Sequence, residues 1–119
     1  FTAVTTALPD YIHIAAETGN WARDTMYADG TSFTSLAKQI TGLPVIANGG
    51  LHQASLAKQV LEEGHADLLA LGKAALANPD WPLRVQRGAH IVPFHPEMIK
   101  PSATIEHTWK VLSTAAAMI

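Results

Sequence analysis

The sequence predicts an α/β fold with a parallel sheet, on the basis of two patterns. Short apolar runs of strand length alternate three times with longer runs in which apolar residues recur at helical spacing. Two of the short runs also lead into glycine, with Gly49 and Gly50 after one and Gly72 after the next. Such alternation is typical of βαβ units, whose right-handed crossovers lay parallel strands side by side in chain order.

Three strands are predicted, over residues 10–16, 44–48 and 67–71. Each is short and mostly apolar, and proline, glycine or aspartate stands at or near its ends. Because successive side chains of a strand point to opposite faces, Tyr11 and His13 should share one face of the sheet.

Two longer runs are predicted to form the crossover helices. The first covers residues 31–41, where Thr31 or Ser32 can cap the start and Gly42 can end the helix. The second covers residues 53–63 and ends at Gly64. A last helix is predicted over residues 103–117.

The remaining segments are predicted to be loops and breaks. Residues 17–30 form a polar loop that carries Trp21 and either borders a ligand or is an ordinary surface loop. A short helix is expected to begin at Lys73 or the next residue and to break at NPDWP, residues 78–82, where Asp80 can cap another turn. Residues 88–102 contain three prolines and should be irregular.

Length and composition bound the class of protein. The 119 residues are 48% hydrophobic and 15% charged, as in a globular chain. A net charge of −2 gives no electrostatic basis for binding nucleic acid or an anionic membrane. The sequence has no cysteine for disulfides or metal thiolates, and its apolar runs are too short to span a bilayer. We therefore expect a cytoplasmic protein.

The predicted sheet is a piece of something larger. Three parallel strands do not close a barrel, and the chain has about half of the roughly 250 residues of a complete one. A barrel is favoured over an open doubly wound sheet, because no G-x-G-x-x-G follows any strand. In such barrels, glycines at the C-terminal ends of neighbouring strands leave room for a phosphate.

Three segments carry a resemblance to a known family. They are DYIHIA at residues 10–15, PVIANGG at residues 44–50 and VLEEGHADLLALGKAALANPDWP at residues 60–82. Together they resemble the NADH:flavin oxidoreductases related to old yellow enzyme. The resemblance implies that residues 1–119 are the C-terminal fragment of a single FMN-binding domain, namely the last three βα units of a (β/α)8 TIM barrel plus a C-terminal helix. It further implies that NADH or NADPH passes hydride through FMN to a small-molecule substrate such as an activated alkene.

The same resemblance implies which residues hold FMN. Gly49 and Gly50 match the glycine turn whose N–H groups face the phosphate, and Gly72 and Lys73 match the Gly-Arg pair after the last strand. Lys73 departs from the pattern, because an ammonium is a point charge and loses the bidentate binding of arginine. No catalytic residue is assigned, because the family's catalytic groups fall in earlier barrel units. The fragment alone is expected to be inactive.

Neither the histidines nor Asp67 adds a second site. The six histidines are scattered, and a proline lies between His90 and His95, so no metal site is predicted. Asp67 lies at the start of the third predicted strand, opposite the end where barrels place their chemistry, and is expected to cap that strand.

Two alternatives remain open. Another phosphate-binding barrel enzyme, dihydrouridine synthase-like or non-redox, would share the glycine sites, and a non-catalytic half-barrel that associates with itself would share the fold. Unpaired strand edges and an exposed apolar sheet face should favour a homodimer of the fragment. That face is expected to comprise Tyr11, His13, Val45, Ala47, Leu68 and Ala70.

Overall fold

The computed structural model describes residues 1–117 and divides into two compact units, residues 1–71 and the chain from Gly72 onward. The first unit contains a three-stranded parallel sheet in the order β1-β2-β3. Its strands are β1 (Ile12–Ile14), β2 (Val45–Ala47) and β3 (Leu68–Leu69). The predicted α/β class, parallel pairing and strand order are confirmed, although each strand is shorter than its apolar run.

The helices of the first unit include both predicted crossovers. They are α1 (Thr2–Thr5), α2 (Trp21–Thr25), α3 (Phe33–Thr41) and α4 (Ala54–Glu62). Helix α3 begins after Ser32, whose hydroxyl accepts a hydrogen bond from Ser35 N–H at 3.1 Å, and it ends at Gly42, whose φ is 68°. The prediction that residues 17–30 form a loop is wrong in part, because α2 forms within them.

One face of the sheet packs against the two crossover helices. Val45 clusters with Ile12 of β1 and Ala37 of α3, while Ala47 clusters with Val60 of α4. Both Val45 and Ala47 are fully buried. Burial of this apolar face is the main favourable term in folding the unit.

The opposite face of the sheet carries exposed side chains. Ile46 pairs with His13 on one side and with Leu68 on the other, and Leu68 is 56% exposed. The prediction that Val45 and Ala47 line this exposed face is wrong. The period of two along a strand turns both residues to the helix side.

The Asp67 carboxylate lies at the N-terminal edge of the sheet, where the sequence predicts a capping residue. Its carboxylate accepts a hydrogen bond from Val45 N–H at 2.9 Å and pairs with Lys38 Nζ at 3.0 Å. The Val45 N–H, followed by Lys38, holds the pKa of Asp67 below its ordinary value. Asp67 therefore caps the entry of a strand, as expected, but the N–H group that it satisfies belongs to β2 rather than to the third strand, β3.

The second unit consists of helices and irregular chain. Its described helices are α5 (Lys73–Ala77), α6 (Trp81–Arg87) and α7 (Ile105–Ala117), and Pro96–Met98 forms a 3-10 turn. The break at NPDWP is confirmed, but Asp80 does not cap α6 with its side chain. Its carboxylate instead accepts a hydrogen bond from Arg84 Nε at 2.7 Å. Within residues 1–117, every helix is too short or too polar to cross a bilayer.

Candidate functional site

A glycine turn follows β2 and leads toward α4. Gly49 and Gly50 have φ angles of 108° and 71°, which glycine adopts without steric cost. The Gly49 carbonyl accepts a hydrogen bond from Trp21 N–H at 2.9 Å, and the Gly50 carbonyl accepts one from Gln53 N–H at 3.4 Å. The turn lies at the C-terminal edge of the parallel strands, which is the edge where α/β proteins bind ligands.

The two glycines of this turn differ in the space around them. A Cβ atom on Gly49 would lie 2.6 Å from the Trp21 nitrogen and 2.7 Å from the Ala16 Cβ. A Cβ on Gly50 would meet its nearest neighbour, the Gly19 carbonyl oxygen, at 3.8 Å. Gly49 is therefore required by the packing of the protein itself, whereas Gly50 leaves room beside the backbone.

Asn48 ties the glycine turn to the end of β1. Its Oδ1 accepts a hydrogen bond from Ala16 N–H at 2.7 Å. The residue stands between the last residue of β2 and the glycine turn, so it fixes the start of the turn. Sequence reasoning missed this role, although a polar side chain directly before two glycines was a usable signal.

The segment between β1 and α2 is closed by a carboxylate. Asp24 accepts hydrogen bonds from the Thr18 hydroxyl at 2.6 Å, Thr18 N–H at 2.7 Å and Asn20 N–H at 3.3 Å. These bonds, of which the one from the Thr18 hydroxyl has the largest effect, lower the pKa of Asp24 to about 2. The segment that contacts the glycine turn is thus held by local hydrogen bonds.

Trp21 belongs to the core of the first unit. Its side chain is 2% exposed and lies in the same apolar cluster as Ala47 and Val60. Its ring also meets the ring of His65 in an edge-to-face contact, with 5.1 Å between the ring centroids. At this position the expectation of an ordinary surface loop is wrong, because Trp21 anchors α2 in the core.

The second predicted pair stands at the start of α5. Gly72 has a φ of −107°, and a Cβ built there would meet no described atom within 4 Å beyond its own residue and its two neighbours in the chain. Lys73 is exposed, and its Nζ lies 5.7 Å from the centroid of the Phe94 ring. That distance is within the range of a cation–π contact. Sequence reasoning missed Phe94, because no local pattern links it to Lys73.

The two pairs, considered separately, present groups that suit an anion. The glycine turn presents backbone without side chains, and Lys73 presents an exposed ammonium. In the part of the chain that the structure describes, no three His, Asp or Glu side chains are grouped as metal ligands. The expectation of no metal site remains a prediction.

Comparison with known proteins identifies the chain's relatives. The chain is 33% identical over 51 residues to an NADH oxidase of Thermoanaerobacter brockii, which covers 43% of this chain and 8% of that protein. It is 34% identical over 64 residues to a metal reductase of Desulforamulus reducens, a match that covers 54% of this chain and 9% of that protein. It is 32% identical over 88 residues to a bilirubin reductase of Mediterraneibacter gnavus, a match that covers 66% of this chain and 14% of that protein.

These matches span less than a sixth of each relative's length. The family model described as NADH:flavin oxidoreductase / NADH oxidase matches residues 3–91, which is most of this chain. The chain therefore belongs to the NADH:flavin oxidoreductase / NADH oxidase family.

Proposed function

We propose that this chain binds the phosphate of FMN in an NAD(P)H-dependent oxidoreductase, as the C-terminal part of its (β/α)8 barrel. The observation that carries the proposal is the turn of Gly49 and Gly50 at the C-terminal end of β2, in a chain of this family. The pair Gly72 and Lys73, which follows the β3 segment in the sequence, supplies a second small residue and a cation.

The residues present suit a phosphate group. Gly50 and Gly72 leave space where a side chain would otherwise stand, so an anionic oxygen can approach the backbone closely. Lys73 can pair with the same kind of group, because charge-assisted hydrogen bonds are stronger than neutral ones. Bound FMN would supply the redox chemistry. The residues of this chain would hold and orient its phosphate end.

The electron donor and acceptor are proposed by class only. NADH or NADPH is the proposed donor, and the acceptor is a small molecule such as an activated alkene. The relatives' names state different reducible partners, a metal in one case and bilirubin in another, so these names favour reduction without fixing the acceptor.

The proposal concerns the whole enzyme rather than this chain alone. Because the chain spans 8 to 14% of its relatives, the groups that act on substrate are proposed to lie outside it. The 119 residues alone are expected to show no NAD(P)H oxidation and to retain no flavin. A cytoplasmic location is part of the same proposal, and cell fractionation would test it.

Flavin titration of the intact protein tests the proposed function. We expect FMN to bind more tightly than riboflavin, which lacks the phosphate, and the bound flavin to be bleached by NADH or NADPH. Binding of FMN without reduction by either nucleotide would favour a non-redox barrel enzyme. Equal affinity for FMN and riboflavin would contradict the phosphate site.

A homodimer of the 119-residue chain is proposed from the exposed sheet face. Tyr11 and Leu68 are 57% and 56% exposed there, and large exposed apolar side chains favour association. Sedimentation equilibrium over a dilution series should show a dimer that Leu68→Lys weakens. Leu61→Lys, at a residue of α4 that is 43% exposed, is the matched control and should leave the dimer intact. A wild-type monomer at high concentration would exclude the dimer.

A further inference from the structure

A buried amide fixes the irregular chain that follows α6. Asn78, at the end of α5, is completely buried. Its Oδ1 accepts a hydrogen bond from Val92 N–H, and its Nδ2 donates one to the Val92 carbonyl, both at 2.8 Å. Nδ2 also donates to the Ala74 carbonyl at 2.9 Å. The side chain thus holds residue 92 in the way that a strand partner would.

This amide clamp sets the position of Phe94, two residues further along the chain. The Phe94 ring is half-buried, and its centroid lies 5.7 Å from Lys73 Nζ. Lys73 and Asn78 stand at the two ends of the same short helix, α5. The segment of Val92 and Phe94 therefore contacts both ends of α5, at Asn78 through hydrogen bonds and at Lys73 through the ring.

We infer that Phe94 is a positioning residue that holds the Lys73 ammonium ready for a phosphate group. The inference rests on the proposed function of Lys73. A lysine side chain is long and flexible and loses rotamer freedom when it binds. An aromatic face near the ammonium restricts that freedom before the ligand arrives, so a lysine can serve where the family pattern has the more rigid arginine.

The inferred role belongs to this chain rather than to the family pattern. The family match covers residues 3–91 and ends before Phe94. The Lys73 ammonium lies near the Phe94 ring although the two residues are distant in sequence, and the Asn78 bonds to Val92 hold the segment that carries Phe94 against the end of α5. Nothing in the glycine motifs themselves calls for an aromatic residue at this place.

Flavin affinities of the intact protein test the inference. Phe94→Leu should weaken FMN binding about two- to fivefold, as for loss of an exposed cation–π contact, and leave riboflavin binding unchanged. Phe94→Tyr keeps an aromatic face and should retain the wild-type preference for FMN. In a Lys73→Ala background, Phe94→Leu should have no further effect, because its partner is already absent. Phe33→Leu makes the same change in the first unit and is the matched control.

The outcomes separate this inference from the proposed function. If wild type does not prefer FMN over riboflavin, the phosphate site itself is contradicted. If wild type prefers FMN and Lys73→Ala reduces that preference, but Phe94→Leu does not, only the role of Phe94 is overturned. Equal losses of FMN and riboflavin affinity in Phe94→Leu would also overturn it, because they would indicate a merely structural residue.

A flavin-free measurement keeps the test decisive if Phe94→Leu fails to fold. In wild type, NMR should show the Lys73 methylene protons next to Nζ shifted upfield by the Phe94 ring current, with cross-relaxation between the two side chains. Phe94→Tyr should retain both signals. Their absence in folded wild-type protein would overturn the inference.

Discussion

The two predicted phosphate-binding pairs, Gly49 with Gly50 and Gly72 with Lys73, occupy similar places in the sequence, because each begins with a glycine that follows an apolar run, but their surroundings differ. Around Gly49 the protein is crowded, with the Trp21 nitrogen and the Ala16 side chain in the space that a Cβ would need. Around Gly72 the described residues leave that space open. A glycine that follows a strand can therefore be required by the packing of the protein, as Gly49 is, or be free of that requirement, as Gly72 is, and sequence alone does not separate the two.

Gly49→Ala tests the crowded side of the comparison and should have the largest effect. Contacts under 3.0 Å and a φ of 108° combine overpacking with backbone strain, so we expect a loss of about 2 to 5 kcal/mol in the free energy of unfolding. Urea denaturation of the intact protein measures it. Gly50→Ala is the matched control and should cost about 1 kcal/mol, because it has only the positive φ. Equal losses at the two positions would show that crowding is not the cause.

Lys73→Ala tests the cation of the second pair. Under the proposed function, FMN binding should weaken by about 1.5 to 3 kcal/mol, the range for a hydrogen bond to a charged group. Lys73→Arg should bind FMN at least as tightly as wild type, because a guanidinium can pair with phosphate through two bonds. An unchanged FMN dissociation constant in Lys73→Ala would remove this residue from the site.

Gly72→Ala tests the open side of the comparison. Because the added methyl group meets no described atom, the free energy of unfolding should change by about 0.5 kcal/mol or less. Under the proposed function, FMN binding should nevertheless weaken, because the methyl group would occupy the space through which a phosphate oxygen approaches. Urea denaturation and FMN titration of the same sample separate the two effects. A large loss of stability would show that Gly72, like Gly49, is required by the packing of the protein.

The smallest predicted effect concerns acid and the segment next to Gly49. The pKa of Asp24 is lowered from 3.8 to about 2 in the folded chain, so its carboxylate stabilises the fold above pH 3.8. That contribution is lost as pH falls from about 4 to about 2. Thr18→Ala removes the hydroxyl hydrogen bond that lowers the pKa of Asp24 most, so this pKa should rise toward 3.8. NMR titration of the Asp24 carboxyl measures it. The carboxyl of Asp29, whose pKa is lowered by Thr31 instead, is the internal control.

Local patterns account for the features that the sequence predicted well. The α3 boundaries follow from Ser32 and Gly42, which act on the residues next to them. Strand order follows from crossover length and handedness. These signals are short-range, so a single sequence contains them in full.

The features that the sequence did not predict depend on residues far apart in the chain. The crowding of Gly49 needs Trp21, the hydrogen bond of Asn48 needs Ala16, and the cation–π contact of Lys73 needs Phe94. Each pair meets only after the strands and helices have assembled. Periodicity therefore identified the glycines as a candidate site, but it did not show why each glycine is there.

The Asn78 clamp also limits where this chain tolerates changes in length. It closes residues 78–92 into a loop whose two ends are held by one side chain. An insertion inside the loop, for example after Gly88 where α6 ends, leaves both ends in place, because the entropy of loop closure changes slowly with length. An insertion between Val92 and Phe94 would instead carry the ring away from Lys73. Length variation among relatives should therefore occur before Val92 and be rare directly after it.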